Sequence, residues 1–169
     1  MPPNAALSEA LCTLISERRP EIARALLLER DIDVNHRSAD DVTPLMLAAE
    51  ARYSYLVTVM LALGADANAV DRRGRTALMR AARENDVQAV AWLLRAGALP
   101  DMATTYQGWT ALMWAARHDS TEAISALLAA GADRAPCERE GQTALSLAIR
   151  YGHASCRSLL ERPTNETPP

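Results

Sequence analysis

Apolar residues along the chain recur in blocks with one constant period. Each block combines Leu, Met and Ala at three- and four-residue spacing, which predicts a helix with one small, apolar face. Four such blocks read TPLMLAA, TALMRAA, TALMWAA and TALSLAI, and they begin 33, 34 and 33 residues apart, at Thr43, Thr76, Thr110 and Thr143. This period predicts a stack of similar helical units.

The residues that flank the blocks predict where each helix begins and ends. Every block opens on a threonine, whose hydroxyl can accept a hydrogen bond from a free amide of the first turn, and Pro44 fits the first helical position. After a second apolar stretch, Gly64, Gly97 and Gly131 stand where a left-handed residue closes a helix. Each unit is therefore predicted to contain a turn and two helices.

This unit resembles the ankyrin repeat, in which a turn precedes two antiparallel helices and the first helix carries a T-P-L-H-x-A signature. The resemblance covers about residues 7–162 and implies an all-α ankyrin-repeat solenoid of about five helix-turn-helix units with β-turn or hairpin connections. We place the units at about 7–33, 34–66, 67–99, 100–133 and 134–162, and we expect disordered tails at 1–6 and 163–169.

The first predicted unit lacks both repeated signatures and is interpreted as a cap. Its apolar residues predict two short helices, the second of which opens at Pro20, and its polar residues are expected to face water, as terminal repeats require. The apolar positions are Leu11, Leu14, Ile15, Ile22, Leu26 and Leu27.

The resemblance implies a concave face built from the turns and the first helices. Residue types on this face vary between units, and we interpret the variable positions as exposed and partner-binding. Trp114 occupies one of them, so we expect Trp114 and also Trp109 to lie outside the core; the other units carry Leu47, Arg80 and Leu147 at that position. Trp, Tyr and Arg dominate binding hot spots. The candidate partner-binding residues are Arg72, Arg73, Arg75, Arg80, Arg83, Tyr106, Trp109, Trp114, Arg117, His118, Arg150 and Tyr151.

A packing role is the alternative for these aromatic residues. Trp114 could cover the neighbouring helix and Trp109 could shield a turn, whereas Trp92, on a second helix, is interpreted as a packing residue. The loop before Trp109 carries the extra residue of the 34-residue interval. The insertion either turns Tyr106 and Trp109 toward the groove, which we favour, or is merely tolerated, as surface loops tolerate changes in length.

Charge and composition limit the class of partner. The net charge is −3 at pH 7, which disfavours nucleic acid and anionic membranes as partners. All 18 basic residues are arginine; this fits a GC-rich coding sequence, and it also leaves no side-chain amine for ubiquitination. The sequence shows neither a signal peptide nor an apolar run near the roughly 18 residues of a membrane span. Cys12, Cys137 and Cys156 lack CxxC spacing, so we expect a reducing compartment, the cytoplasm or the nucleus. We also expect the protein to be monomeric on its own.

No arrangement of residues predicts catalysis, a metal or a cofactor. His118, Asp119 and Ser120 are the residue types of a hydrolytic triad, but three consecutive side chains point in different directions. The histidines fall in different units without metal-ligand spacing, and His153 stands at the bend between two helices, where a structural role is expected. The glycines serve caps and turns and form no phosphate loop. We therefore do not expect an enzyme.

The sequence predicts a non-enzymatic interaction module or adaptor that binds a partner protein through its concave, Arg- and Trp-rich face. The expected ligand is an extended acidic or proline-containing segment, because arginine pairs with carboxylate or phosphate and the aromatic rings can hold an apolar anchor. The alternative is a phosphorylated small ligand or a single-stranded oligonucleotide in the same groove, with bases stacked on the rings. A third reading is a structural subunit that contacts its partner through the outer helices.

Overall fold

The computed structural model describes residues 4–29 and 31–162. These residues form ten α-helices: α1 (Ala5–Ser16), α2 (Pro20–Leu26), α3 (Pro44–Glu50), α4 (Ser54–Ala62), α5 (Ala77–Arg83), α6 (Val87–Arg95), α7 (Ala111–Arg117), α8 (Thr121–Ala129), α9 (Ala144–Arg150) and α10 (Ala154–Glu161). Within the described residues the only extended pairing is an isolated antiparallel bridge between Cys137 and Thr143. The predicted all-α repeat solenoid is therefore confirmed.

The helices stack in two layers. The odd-numbered helices, which are the first helices of the units, pack side by side from α1 to α9, and α4, α6, α8 and α10 form a second layer behind them. The alanine pairs predicted to allow close approach are fully buried, as at Ala81 and Ala82. Larger side chains fill the space between the layers and are also fully buried, among them Leu45, Leu78, Leu112, Ile124 and Leu127.

The predicted helix caps are present. Each capping threonine accepts a hydrogen bond from the backbone amide three residues on, at 3.2–3.4 Å, in α3, α5, α7 and α9. Pro44 is the first residue of α3. Gly64, Gly97 and Gly131 have φ between 85° and 87°, the left-handed conformation that a side chain would strain.

The loops that precede the odd-numbered helices are hydrogen-bonded turns. A backbone amide donates to the carbonyl four residues later in three of the loops, in the pairs Ser38–Val42, Asp71–Arg75 and Glu138–Gln142. In the fourth unit the corresponding bond joins Thr104 to Trp109, five residues apart. The extra residue of the 34-residue interval therefore lies inside this turn.

Neighbouring loops are joined to one another. Backbone amides donate to carbonyls of the preceding loop in the pairs Arg72–Asp40, Thr105–Arg73 and Arg139–Gln107, at 2.9–3.1 Å. Gly74 makes the second of these contacts possible, because a β-carbon on Gly74 would lie 2.6 Å from the amide nitrogen of Thr105. The loops thus form one continuous edge of the molecule.

The first unit contains the two predicted short helices, and α2 begins at Pro20 as predicted. Helix α1 begins at Ala5, two residues before the expected start of the repeat domain, because Asn4 accepts a hydrogen bond from the Ala6 amide and caps it. Ile22 is 47% exposed rather than buried. The rest of the expected N-terminal tail and all of the expected tail at 163–169 lie outside the described residues.

Candidate functional site

A cleft of about 260 Å³ opens between the loops of the third and fourth units. It lies on the surface formed by the loops and the odd-numbered helices, which we call the first-helix face. Candidate residues Tyr106 and Trp114 line it, and Tyr106 is exposed. The complete lining is Arg73, Arg75, Thr104, Tyr106, Gln107 and Trp114. The longer turn at 104–109 supplies three of these residues, so the insertion helps to build the cleft.

An aromatic row crosses the first-helix face below the cleft. The rings of Trp114 and Trp109 lie 4.9 Å apart between centroids, and the ring of His118 stacks on that of Trp114 at 6.0 Å. The guanidinium group of Arg117 lies 5.3 Å from the ring centroids of both Trp109 and Tyr151. Cation–π contacts of this kind hold the arginine against the rings. The structure therefore brings five candidate residues from the fourth and fifth units together.

The prediction that Trp109 lies outside the core is wrong. Only 6% of its surface is exposed, and it belongs to the hydrophobic core. Its amide donates to the hydroxyl of Thr104 and its carbonyl accepts from the Thr104 amide, which closes the turn and fixes Trp109 beside α7. Trp114 and Arg117 then cover the ring. Trp109 supports the row and is not open to a partner.

The position shared by Trp114 and Arg80 is not a freely exposed one, contrary to the prediction. Arg80 is 6% exposed, Leu147 is 1% exposed, and Leu47 and Trp114 are half-buried. The reason is that neighbouring first helices pack against each other, and that Leu47 and Trp114 pack against the hydrophobic core. Different side chains fill the same contact, so variation between units did not indicate exposure.

Arg80 is buried because carboxylates surround it. It forms ion pairs with Glu50 of the preceding unit and with Asp71, the latter at 2.8 Å. Asp71 also accepts from Arg75 Nε at 2.7 Å, and Glu50 also accepts from Arg83 at 2.8 Å. These five side chains form one network across the junction of the second and third units. Arg83 also pairs with Glu84 at 2.7 Å, so three carboxylates neutralise these three candidate arginines within the protein.

The network sets the charge state of its carboxylates. Burial by itself would raise the pKa of Glu50, but Arg80 and Arg83 outweigh it and the pKa is lowered. Burial also opposes ionisation of Asp71, and hydrogen bonds from the backbone and side chain of Arg75, with one from the Arg73 amide, lower its pKa. Both carboxylates are therefore ionised at neutral pH, as their arginine partners require.

The histidine of the aromatic row is biased toward its neutral form. Partial burial lowers the pKa of His118, and the positive charges of Arg83 and Arg117 lower it further. A neutral imidazole can stack on Trp114 without adding a charge beside two guanidinium groups. At neutral pH the row is therefore aromatic in character, with Arg117 as its cation.

The exposed candidate arginines differ in their partners. Arg72 lies 3.6–3.7 Å from the carboxylates of Asp40 and Asp41, and Arg150 donates to the Gln142 side chain at 3.0 Å. Arg73 and Arg117 have no carboxylate partner within the described ranges. Arg73, at the mouth of the cleft, is consequently a cation that an external anion can approach.

Sequence reasoning missed Glu50 and Asp71. A signal was present for Glu50, because it stands 33 residues before Arg83 and equivalent positions of adjacent repeats lie side by side. Opposite charges one period apart thus predict an ion pair between units. No comparable signal marked Asp71, since the residues at the same turn position of the other units, Ser38, Thr104 and Glu138, do not pair with an arginine of the next helix.

Two other predictions concerned residues outside the row. Trp92 was expected to pack but is 42% exposed on the outer face, the surface of the second helix layer, where the Arg95 guanidinium lies 5.3 Å from its ring. The packing interpretation is wrong because Trp92 lies outside the buried stripe of α6, which Ala89, Val90 and Leu93 form. His153 lies at the expected bend, and its Nε2 is 3.0 Å from the Arg117 carbonyl, linking two units.

The described residues offer little for catalysis. They contain no group of three or more His, Cys, Asp or Glu side chains placed to hold a metal ion. Burial raises the pKa of Cys12 to about 11, and burial with the nearby Asp119 carboxylate raises that of Cys156 to about 12. Both thiols therefore stay protonated at neutral pH, a form that is a poor nucleophile.

Comparison with known proteins agrees with this architecture. A family profile described as "Ankyrin repeats (3 copies)" matches residues 10–104 and 98–167, and the chain belongs to the ankyrin-repeat family. Repeats of this family are generally protein–protein interaction modules, and they are typically not enzymes.

Curated relatives share only part of the chain. Neurogenic locus notch homolog protein 1 of Xenopus tropicalis and neurogenic locus notch homolog protein 2 of Homo sapiens are each 40% identical over 81 residues, and neurogenic locus notch homolog protein 1 of Homo sapiens is 38% identical over the same length. These matches cover 48% of this chain and 3% of each relative. No helix among the described residues is long and apolar enough to span a membrane.

Proposed function

We propose that this protein is a non-enzymatic adaptor that binds an extended segment of another protein on its first-helix face. The observation that carries the proposal is the cleft between the third and fourth units, where exposed Tyr106 and half-buried Trp114 meet Arg73, a cation that pairs with no carboxylate in the described part of the chain. Aromatic and arginine side chains clustered in a concavity are the common composition of binding hot spots.

Charge supports a protein segment of acidic or proline-containing type. Arg73 can pair with a carboxylate, while the ring surfaces of Tyr106 and Trp114 suit proline or another apolar side chain. A polyanion would find fewer free cations here. The other arginines of the cleft and the neighbouring surface already have carboxylate partners, namely Arg72, Arg75 and Arg83. The observed ion pairs therefore favour a peptide over an oligonucleotide or a phosphorylated small ligand.

Selection from a random peptide library displayed on phage tests this proposal. The change is Arg73→Glu combined with Tyr106→Ala, two exposed side chains whose loss leaves the core intact. The matched control is Trp92→Ala combined with Arg95→Glu, the corresponding aromatic and cationic pair on the outer face. We expect selected peptides to bind the first variant at least tenfold more weakly than wild type, and the control equally well.

The opposite pattern would contradict the proposal. If affinity falls only in the outer-face variant, the helices of the second layer carry the interaction, and the protein is a structural subunit of the kind considered above. Ligand class is tested by titrating salt against a fluorescent single-stranded oligonucleotide and a selected peptide. Oligonucleotide binding that exceeds peptide binding and weakens log-linearly with salt would favour the nucleic-acid alternative.

A further inference from the structure

Two buried hydrogen-bond donors below the cleft have no acceptor among the described residues. They are Nε of Arg80 and Nε1 of Trp114. The two terminal nitrogens of Arg80 are occupied by Glu50 and Asp71, so its third donor direction is left free in a side chain that is 6% exposed. A buried donor without an acceptor destabilises the fold, because it loses its hydrogen bond to water and gains none in return. Each of these donors therefore needs an acceptor that the described residues do not supply.

Both side chains border a second, much smaller cavity. Its volume is about 10 Å³, and its lining is Arg75, Met79, Arg80, Arg83 and Trp114. Arg75 and Trp114 also line the 260 Å³ cleft, so these two side chains form the wall between the two spaces. A cavity of this size holds about one oxygen atom, the size of a water molecule or of the tip of a carboxylate.

The charge around the two spaces favours an anionic acceptor. Four guanidinium groups line the two spaces, those of Arg73, Arg75, Arg80 and Arg83. Three carboxylates pair with them, those of Glu50, Asp71 and Glu84. The surplus is one positive charge, and of these four arginines Arg73 is the one without a carboxylate partner among the described residues. A ligand with a single negative charge would neutralise the group.

We propose that the cleft and the small cavity together form a carboxylate subsite for an aspartate or glutamate of the bound segment. The side chain lies in the cleft beside Arg73, and one carboxylate oxygen enters the cavity to accept hydrogen bonds from Arg80 Nε and Trp114 Nε1. Entry displaces the half-buried Trp114 side chain slightly toward the cleft. This inference rests on the proposed function and specifies where the acidic residue of the segment docks.

The indole N–H resonances of the three tryptophans test the subsite by NMR. The probes are acetyl-Glu-Pro-amide and its uncharged counterpart acetyl-Gln-Pro-amide. Because a carboxylate would accept directly from Trp114 Nε1–H, we expect the Glu probe to shift that resonance saturably, and the Gln probe to bind about tenfold more weakly. Trp114→Phe, which keeps a ring and removes the donor, assigns the resonance and should weaken binding of the Glu probe by a similar factor. Trp92→Phe is the control and should not.

Three outcomes would overturn the subsite. Equal binding of the two probes would show that the carboxylate is not recognised. An unmoved Trp114 resonance would mean that no ligand reaches the cavity. A persistent contact between the indole N–H and water in the presence of the Glu probe would show that water alone satisfies the donors. Each can occur while library peptides still depend on Arg73 and Tyr106, so failure here is distinguishable from failure of the proposed function.

Discussion

Single side chains on the first-helix face divide into those that build it and those that a partner can touch. Trp109 and Arg80 are large aromatic or charged residues that the sequence pattern assigns to the surface, yet each is buried against groups of its own neighbourhood. Trp109 is closed in by its own turn, and Arg80 by two carboxylates. Arg73 and Tyr106 have no such enclosure, so they are the residues open to a ligand.

The buried ion pairs of Arg80 should contribute measurably to stability. Arg80→Met keeps the side-chain length but removes hydrogen bonds to two carboxylates, one of them almost fully buried. We expect the free energy of unfolding to fall by roughly 2–3 kcal/mol, measured by urea denaturation. Arg95→Met, on the outer face, is the control and should change it by less than about 0.5 kcal/mol. A loss at Arg80 no larger than the control would mean that the network is not formed in solution.

His118 should impose a pH dependence on stability. Its pKa is lower in the folded protein than its ordinary value of 6.5, so below that value the unfolded state binds more protons and folding is disfavoured. The free energy of unfolding of wild type should therefore decrease from pH 7.5 to pH 5.5 more than that of His118→Gln, as followed by denaturation at each pH. Parallel curves for the two proteins would show that His118 is not held neutral by burial and the two arginines.

At the scale of the elements, the junctions between units are alike in backbone but not in side-chain bonding. Asn35 donates to the Gly64 carbonyl and accepts from the Asp66 amide, and Asn68 makes the same two bonds one unit later, all at 2.8–3.0 Å. At the next junction the equivalent residue is Asp101. It accepts from the Asp133 amide at 2.9 Å, but its carboxylate has no hydrogen to donate.

This difference predicts a stabilising substitution. Asp101→Asn restores a donor for the Gly131 carbonyl, which stands where Gly64 and Gly97 stand in the other units. We expect the free energy of unfolding to rise by about 0.5–1 kcal/mol in urea denaturation. Asp101→Ala removes the acceptor as well and should lower it. A neutral or destabilising Asp101→Asn would indicate that the fourth unit packs differently from its neighbours.

The helices and their caps were predictable from sequence, whereas exposure within the repeat was not. A threonine cap and a closing glycine act within a few residues, so the local pattern fixes them. The burial of Leu147 or Trp114 depends on the adjacent unit, and a position that varies in residue type can still be a packing contact. The exposure of Trp92 was missed because an apolar residue of α6 can also lie outside its buried stripe, which Ala89, Val90 and Leu93 form.

At the scale of the whole molecule, the similar units form one continuous surface, and the features that distinguish the proposed binding site lie at one junction between units. The inserted residue in the turn at 104–109, the cation Arg73 without a carboxylate partner, and the half-buried Trp114 all fall at the junction of the third and fourth units. The second-layer face also exposes an aromatic residue, Trp92, but Trp92 does not line the pocket of about 320 Å³ that adjoins the start of α6. We therefore propose that a partner binds on the first-helix face.

Amide chemical shifts recorded during titration with a library-selected peptide test that assignment most directly. The account predicts that the largest shifts fall at Arg73, in the turn at 104–109 and along α7, with little change in α4, α6 and α8. Shifts concentrated on those second-layer helices, around Trp92 and Arg95, would contradict it.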